Sequence, residues 1–123
     1  MAALIELPTF SDSRGKLTVI ERILPFDIKR VYFIYDTDNK DRGGHRHKIT
    51  TQALICLKGS CTVSCDNSFI KEDYILDNPN KSLIVYPEDY HIMSNFSPDA
   101  ILLVLASEVF IEQDYIDKPY DTI

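Results

Sequence analysis

The sequence predicts an all-β chain, a barrel or sandwich of short antiparallel strands. Three observations predict it. Short runs rich in β-branched and aromatic residues recur along the chain. Clusters of Gly, Pro, Asn, Asp and Ser separate them at fairly regular intervals. No segment carries the period of an amphipathic helix.

The elements follow in order. Asp12-Ser13-Arg14-Gly15 reads as a turn that leads into a strand over residues 16–21. Residues 30–35, Arg-Val-Tyr-Phe-Ile-Tyr, form the next strand. Residues 51–57 are apolar and stop at Lys58-Gly59. Residues 60–65 alternate, and Asp66-Asn67-Ser68 turns the chain. Residues 69–76 follow, closed by Asp77-Asn78-Pro79-Asn80. Residues 82–86 stop at Pro87. Residues 90–96 and 100–107 complete the set, divided by Ser97-Pro98-Asp99. The runs 53–57 and 101–105 are apolar throughout, so both faces are expected to be covered. The tail, 111–123, is polar and aromatic and is expected to pack loosely along the outside.

At 123 residues the chain reads as one domain, 1–123, with no linker. A hydrophobic fraction of 45% is that of a globular protein. No apolar run approaches the roughly 20 residues of a membrane helix, and the start, Met1-Ala2-Ala3-Leu4-Ile5-Glu6, lacks the basic flank of a signal peptide. A net charge of −6 disfavours nucleic acid and anionic membranes as partners, so an anionic ligand needs a local basic cluster. Cys56, Cys61 and Cys65 match no metal or redox spacing, and the count is odd. They read as free thiols on strands, and the compartment as the cytoplasm.

Chemistry concentrates in Arg42-Gly43-Gly44-His45-Arg46-His47-Lys48. Side chains alternate across a strand, so His45 and His47 share one face while Arg46 and Lys48 share the other. The paired glycines allow a sharp entry and close approach of a ligand. The remaining histidine, His91, precedes Asn95 by four positions. Glu88 and Asp89 stand near enough in sequence to orient it.

These residues resemble the cupin superfamily. Its first motif has two histidines one residue apart, a glutamate and then a glycine; here His45, His47, Gln52 and Gly59 take those places. Its second motif ends as His91 and Asn95 do. The resemblance implies a cupin-type jelly-roll barrel with the motif residues pointing inward. The cupin glutamate is a metal ligand, and Gln52 supplies no charge for a divalent ion. Three histidines alone leave a zinc or iron site open as an alternative.

A closer likeness runs through residues 12–17, 25–32, 42–48, 57–61 and 95–107. The Arg-Gly-Gly-His-x-His-Lys stretch and the Asn-Phe-Ser-x-Asp-Ala run resemble the sugar 3,4-ketoisomerases that act on dTDP-4-keto-6-deoxyglucose. Tyr90 stands where that family carries tryptophan. The resemblance implies an isomerase that moves the ketone from carbon 4 to carbon 3 through an enediolate. No net redox occurs, so no cofactor is expected, and the chain has no dinucleotide fingerprint.

His47 is expected to be the base and His45 its partner or proton carrier; spacing does not order the two. A neutral imidazole suits the task near neutral pH. His45, His91 or a tyrosine would donate to the enediolate oxygen. Arg14 and Arg42, in turns at barrel mouths, suit the diphosphate. Arg46 and Lys48 would reach a ligand only at the rim or across a subunit boundary. Phe33 and Tyr35 share one face and Tyr32 the other; an inward ring would stack on thymine or donate a proton. Gln52 and Tyr90 complete the expected substrate contacts.

The likeness also implies a homodimer with exchange of N-terminal strands, taken as residues 2–7. The product would enter amino-deoxysugar and surface-polysaccharide synthesis, for O-antigen or S-layer. The competing readings are a metal-dependent cupin dioxygenase, a non-catalytic nucleotide-sugar-binding cupin, and a 3- or 5-epimerase.

Overall fold

A computed structural model describes residues 1–121. The strands are β1 (Ala3–Glu6), β2 (Thr9–Asp12), β3 (Gly15–Thr18), β4 (Arg30–Tyr35), β5 (Arg42–His47), β6 (Gln52–Lys58), β7 (Cys61–Asp66), β8 (Lys71–Leu76), β9 (Lys81–Val85), β10 (Tyr90–Ser94), β11 (Ile101–Ala106) and β12 (Tyr115–Ile116). A single 3-10 turn, Glu112–Asp114, is the helical element among the described residues. The chain is all-β and every pairing is antiparallel, as in a jelly roll. One five-stranded sheet runs β1-β9-β6-β11-β4, the other β12-β5-β10-β7-β8.

The interior follows from alternation. Leu54, Cys56, Val63, Cys65, Leu83, Met93, Leu102 and Val104 share one buried cluster between the sheets. Ala53, Ile55, Ile84 and Leu105 face the other way and are covered by Ile20, Ile23, Leu24 and Phe26 from the loop that precedes β4. The apolar runs on β6 and β11 are thus covered on both faces, with Leu57 exposed and Ile101 and Leu103 half-buried. Each fully buried leucine contributes roughly 1.5–3 kcal/mol relative to exposure. Cys56, Cys61 and Cys65 are buried free thiols.

Gly59 shows why the β6–β7 corner needs glycine. Its φ is +69°, and a Cβ there would sit 2.1 Å from Ser97 Oγ and 2.7 Å from Asp99 Oδ1. The same Ser97 hydroxyl accepts from Ser60 N at 2.9 Å. One turn is therefore moulded onto another.

Several expectations change. The strand expected over 16–21 ends at Thr18, and its continuation is the covering loop. Within the chain, Ala3 faces Ile84 and Glu6 faces Lys81. The β2–β3 hairpin lies outside both large sheets. The tail is not loose either. Tyr115 and Ile116 pair with His47 and Arg46, because Asp114 anchors them first. Residues 122–123 of that tail lie outside the described residues.

Candidate active site

Strand β5 carries the site, and backbone geometry sets it against β10. His45 lies opposite His91, and the register slips between His91 and Ile92 so that Ile92 faces Gly43. Gly43 has φ +85°, and a Cβ there would meet the His91 carbonyl oxygen at 2.9 Å and Met93 Sδ at 3.0 Å. A side chain at this position would push β5 away from β10.

The three histidines then converge. Ring centroids of His45 and His47 are 5.1 Å apart, those of His45 and His91 5.0 Å, both edge to face. His47 and His91 lie 6.0 Å apart, nearly parallel. His47 and His91 are buried and His45 is half-buried. His91 Nδ1 lies 3.0 Å from the Asp89 carbonyl oxygen. A carbonyl only accepts, so Nδ1 carries the proton and Nε2 is left basic. The Asp89 carboxylate does not orient His91; it accepts from Tyr86 N at 2.9 Å. The Glu88 carboxylate pairs with the Met1 amino group at 2.9 Å.

Burial sets the charge state. His47 is pushed down to about 4, first by burial and then by the neighbouring His45. His91 falls to about 3, again mainly through burial. His45 is lowered in the same way. His47 and His91 are neutral at pH 7. His47 Nε2 is buried and has no hydrogen-bond partner.

The wall beside the histidines holds groups that the sequence reading undervalued. Tyr32 points inward, and its hydroxyl accepts from Gln52 Nε2 at 3.0 Å. Burial, then the nearby Tyr115, raises the Tyr32 phenol. The Arg30 guanidinium lies 4.4 Å from the Tyr32 ring centroid and donates to Tyr115 Oη at 3.2 Å. Tyr115 itself sits 4.8 Å from the His45 ring and 4.6 Å from the His47 ring. Inward alternation on β4 could have indicated Arg30 and Tyr32. Tyr115 had no such signal, since a two-residue strand is too short to show a period.

The remaining expected residues scatter. Phe33 and Tyr35 stack on each other at 5.8 Å and are each 58% exposed on the outer face of β4, away from the histidines. Alternation places them there once Tyr32 points in. Arg42 is exposed at the start of β5 and lowers the Tyr32 phenol slightly through its charge. Arg46 faces outward, 4.0 Å from the Tyr120 ring, and donates to the Lys118 carbonyl at 3.4 Å. Lys48 is exposed past the strand end. Tyr90 occupies the outer side of β10, its hydroxyl 3.6 Å from where a Cβ on Gly44 would lie. Arg14 is 88% exposed at the tip of the β2–β3 hairpin and pairs with Asp12 at 2.6 Å. A concavity of about 640 Å³ lined by Leu24, Phe26 and Ile28 lies in the covering loop and includes none of the histidines.

The donor set does not fit a divalent ion. The Gln52 amide is neutral and engaged with Tyr32. Among the described residues no three His, Cys, Asp or Glu side chains are grouped to hold a metal. What the arrangement can do is take up a proton at a neutral buried imidazole, beside phenol and guanidinium donors.

Comparison with known proteins places this geometry. The family model described as FdtA, WxcM-like, C-terminal, matches residues 1–122. A TDP-4-oxo-6-deoxy-alpha-D-glucose-3,4-oxoisomerase from Aneurinibacillus thermoaerophilus is 47% identical over 113 residues, 89% of this chain and 81% of that protein. A 3,4-ketoisomerase from Helicobacter canadensis has 38% identity and a TM-score of 0.91, covering 95% of this chain and 90% of its own. A mutant of the 3,4-ketoisomerase QdtA from Thermoanaerobacterium thermosaccharolyticum, in complex with TDP-4-keto-6-deoxyglucose, has 40% identity and a TM-score of 0.91, covering 95% and 87%.

Proposed function

The chain belongs to the FdtA family of WxcM-like, C-terminal domains, and from that premise we propose that it is an isomerase converting dTDP-4-keto-6-deoxyglucose to the 3-keto sugar. The observation that carries the reading is the buried, unpartnered His47 Nε2 among three packed histidines.

His47 takes the proton from carbon 3. The electron pair moves into a carbon 3–carbon 4 double bond, and the carbon 4 oxygen gains negative charge. Donors stabilise that oxygen; Tyr32, Arg30 and the half-buried His45 supply them. The imidazolium formed on His47 is offset by the enediolate and by the Asp114 carboxylate, whose charge raises the His47 pKa. His45 carries the carbon 3 hydroxyl proton to the carbon 4 oxygen, the imidazolium on His47 gives its proton back at carbon 4, and the carbon 3 oxygen becomes the ketone. The bonds balance without metal or redox partner.

The diphosphate meets Arg42 at the head of β5 and Arg14 on the hairpin. Phe10 and Leu17 on that hairpin are 65% and 60% exposed, and a lone hairpin is marginally stable in water. This supports a homodimer in which the hairpin, rather than residues 2–7, crosses to the partner. The exposed Val31, Phe33 and Tyr35 supply a second apolar face for that contact. The buried free thiols suit the reducing cytoplasm. A 3-keto sugar is what a transaminase takes, so the product feeds amino-deoxysugar and surface-polysaccharide synthesis.

The test is proton NMR of dTDP-4-keto-6-deoxyglucose in D₂O with wild type and His47→Asn, with and without chelator. A 3-keto product from wild type, lost in the variant and indifferent to chelator, is expected. An unchanged sugar with wild type overturns the reading.

A further inference from the structure

A general base is normally oriented by a third polar group. His91 has one, the Asp89 carbonyl. His47 Nε2 has none. Some other contact must hold the His47 ring, and it comes from the C-terminal strap.

Tyr115 is paired with His47 across β12–β5. Its ring meets His47 at 4.6 Å and His45 at 4.8 Å, at 66° to each. It therefore packs against both histidines of β5, each of which also meets His91. The Tyr115 hydroxyl is fixed by Arg30 at 3.2 Å, and Phe110 packs on its ring at 5.4 Å.

A two-residue strand cannot hold such a ring alone. Asp114 does the anchoring. Its buried carboxylate accepts from Lys48 N at 2.9 Å, Ile49 N at 2.7 Å and the Thr50 hydroxyl. Its carbonyl accepts from Lys48 N at 3.0 Å. Burial alone would raise this carboxyl; the three hydrogen bonds outweigh it and hold it below its ordinary range. The turn directly after His47 is thus tied to the residue directly before Tyr115.

We propose that Asp114 and Tyr115 are positioning residues for the reaction: Asp114 fixes the strap to the end of β5, and the Tyr115 ring sets the planes of His45 and His47 and keeps water from them. This rests on the isomerase reading above. The groups facing His47 are His45, His91, Arg30, Asp114 and Tyr115. Burial is the largest cause of the low His47 value, so uncovering the ring moves it back up toward 6.5.

The experiment compares Tyr115→Phe, Tyr115→Leu and Asp114→Asn. Turnover is measured on dTDP-4-keto-6-deoxyglucose, and each imidazole is titrated by ¹⁵N NMR in the substrate-free protein. Tyr115→Leu is expected to lower kcat by about 10²-fold with little change in KM, the scale of a small misplacement. It also raises the His47 titration midpoint. Tyr115→Phe keeps the ring and stays near wild type in both. Asp114→Asn lowers kcat with little change in KM, more weakly than Tyr115→Leu, and decides the matter by kcat if the leucine variant does not fold, because losing the Asp114 charge by itself lowers the His47 midpoint.

Unchanged kcat and His47 titration in Tyr115→Leu or, if that variant does not fold, unchanged kcat in Asp114→Asn overturn the proposal. So does a phenylalanine variant as damaged as the leucine one, which would make the hydroxyl a reacting group. If wild type itself leaves the sugar unchanged, the isomerase reading fails, while the titration still decides whether Tyr115 governs His47.

Discussion

The two ends of the barrel interior are built by the same strands and differ in almost every other respect. Along β6 the inward residues run Gln52, Leu54, Cys56; along β10 they run His91, Met93; along β4 they run Arg30, Tyr32, Ile34. At one end they close a dry core with Val63, Leu76, Leu83 and Leu102. At the other they surround His45 and His47 with phenol, amide and guanidinium groups. Alternation decides only that a residue points inward. Position along the strand decides whether it meets hydrocarbon or chemistry. The polar end is affordable because its groups satisfy one another, Gln52 with Tyr32, Arg30 with Tyr115, His91 with Asp89. His47 Nε2 is the conspicuous exception.

The sharpest way to break this division is His47→Asn. It is expected to cost about 10²- to 10⁴-fold in kcat, the usual range for a positioned base. Calorimetric binding of the dTDP sugar is retained. Equal loss of binding and turnover would mean that His47 merely lines the pocket. Next in size, Leu54→Ala at the dry end is expected to destabilise the fold by roughly 2–5 kcal/mol in urea unfolding. Turnover per folded molecule stays near that of wild type; if it drops as far as stability does, the two ends are not separable.

A smaller effect comes from pH. His47 and His91 have folded values of about 4 and about 3, below their ordinary 6.5. Between those values the unfolded chain binds the protons more readily. Their contribution is therefore fully favourable above pH 6.5 and is lost as the pH falls through 6.5 toward 4 and then 3. Urea midpoints measured from pH 7 downward should drop in that window, and His91→Asn should flatten the slope where Leu54→Ala leaves it unchanged. A wild-type midpoint that stays level across the window would contradict the buried neutral state of these rings. The least effect on the fold is expected from Phe33→Ser on the outer face. Chain stability should change by under about 0.5 kcal/mol, as for surface positions generally. Sedimentation should show weakened self-association, and a variant that sediments like wild type argues against that face as an interface.

Most of the sheet framework was legible because its signals are local. The turns at Asp66-Asn67-Ser68 and Asp77-Asn78-Pro79-Asn80 divide β7, β8 and β9 as their residue types predict. The unbroken apolar runs of β6 and β11 announced strands covered on both faces. The pairing of His45 with His47 on one face followed from the period of a strand. The choice between Tyr32 and Phe33 did not, since alternation gives two faces without saying which is inside. Arg46 looked like a ligand cation and is held by Tyr120 and the Lys118 carbonyl, partners more than seventy positions away.

By itself the sequence determined most of the strand content, the neighbouring histidines of β5, the neutral Gln52 and the family signature. All of these depend on residue identity and on spacing over a few positions. Only the tertiary structure decided that His91 lies against His45, that the hairpin stands apart from both sheets, and that Asp114 and Tyr115 close over the site. Those contacts join residues separated by tens of positions, and their closure is decided by burial and hydrogen bonding rather than by any local pattern.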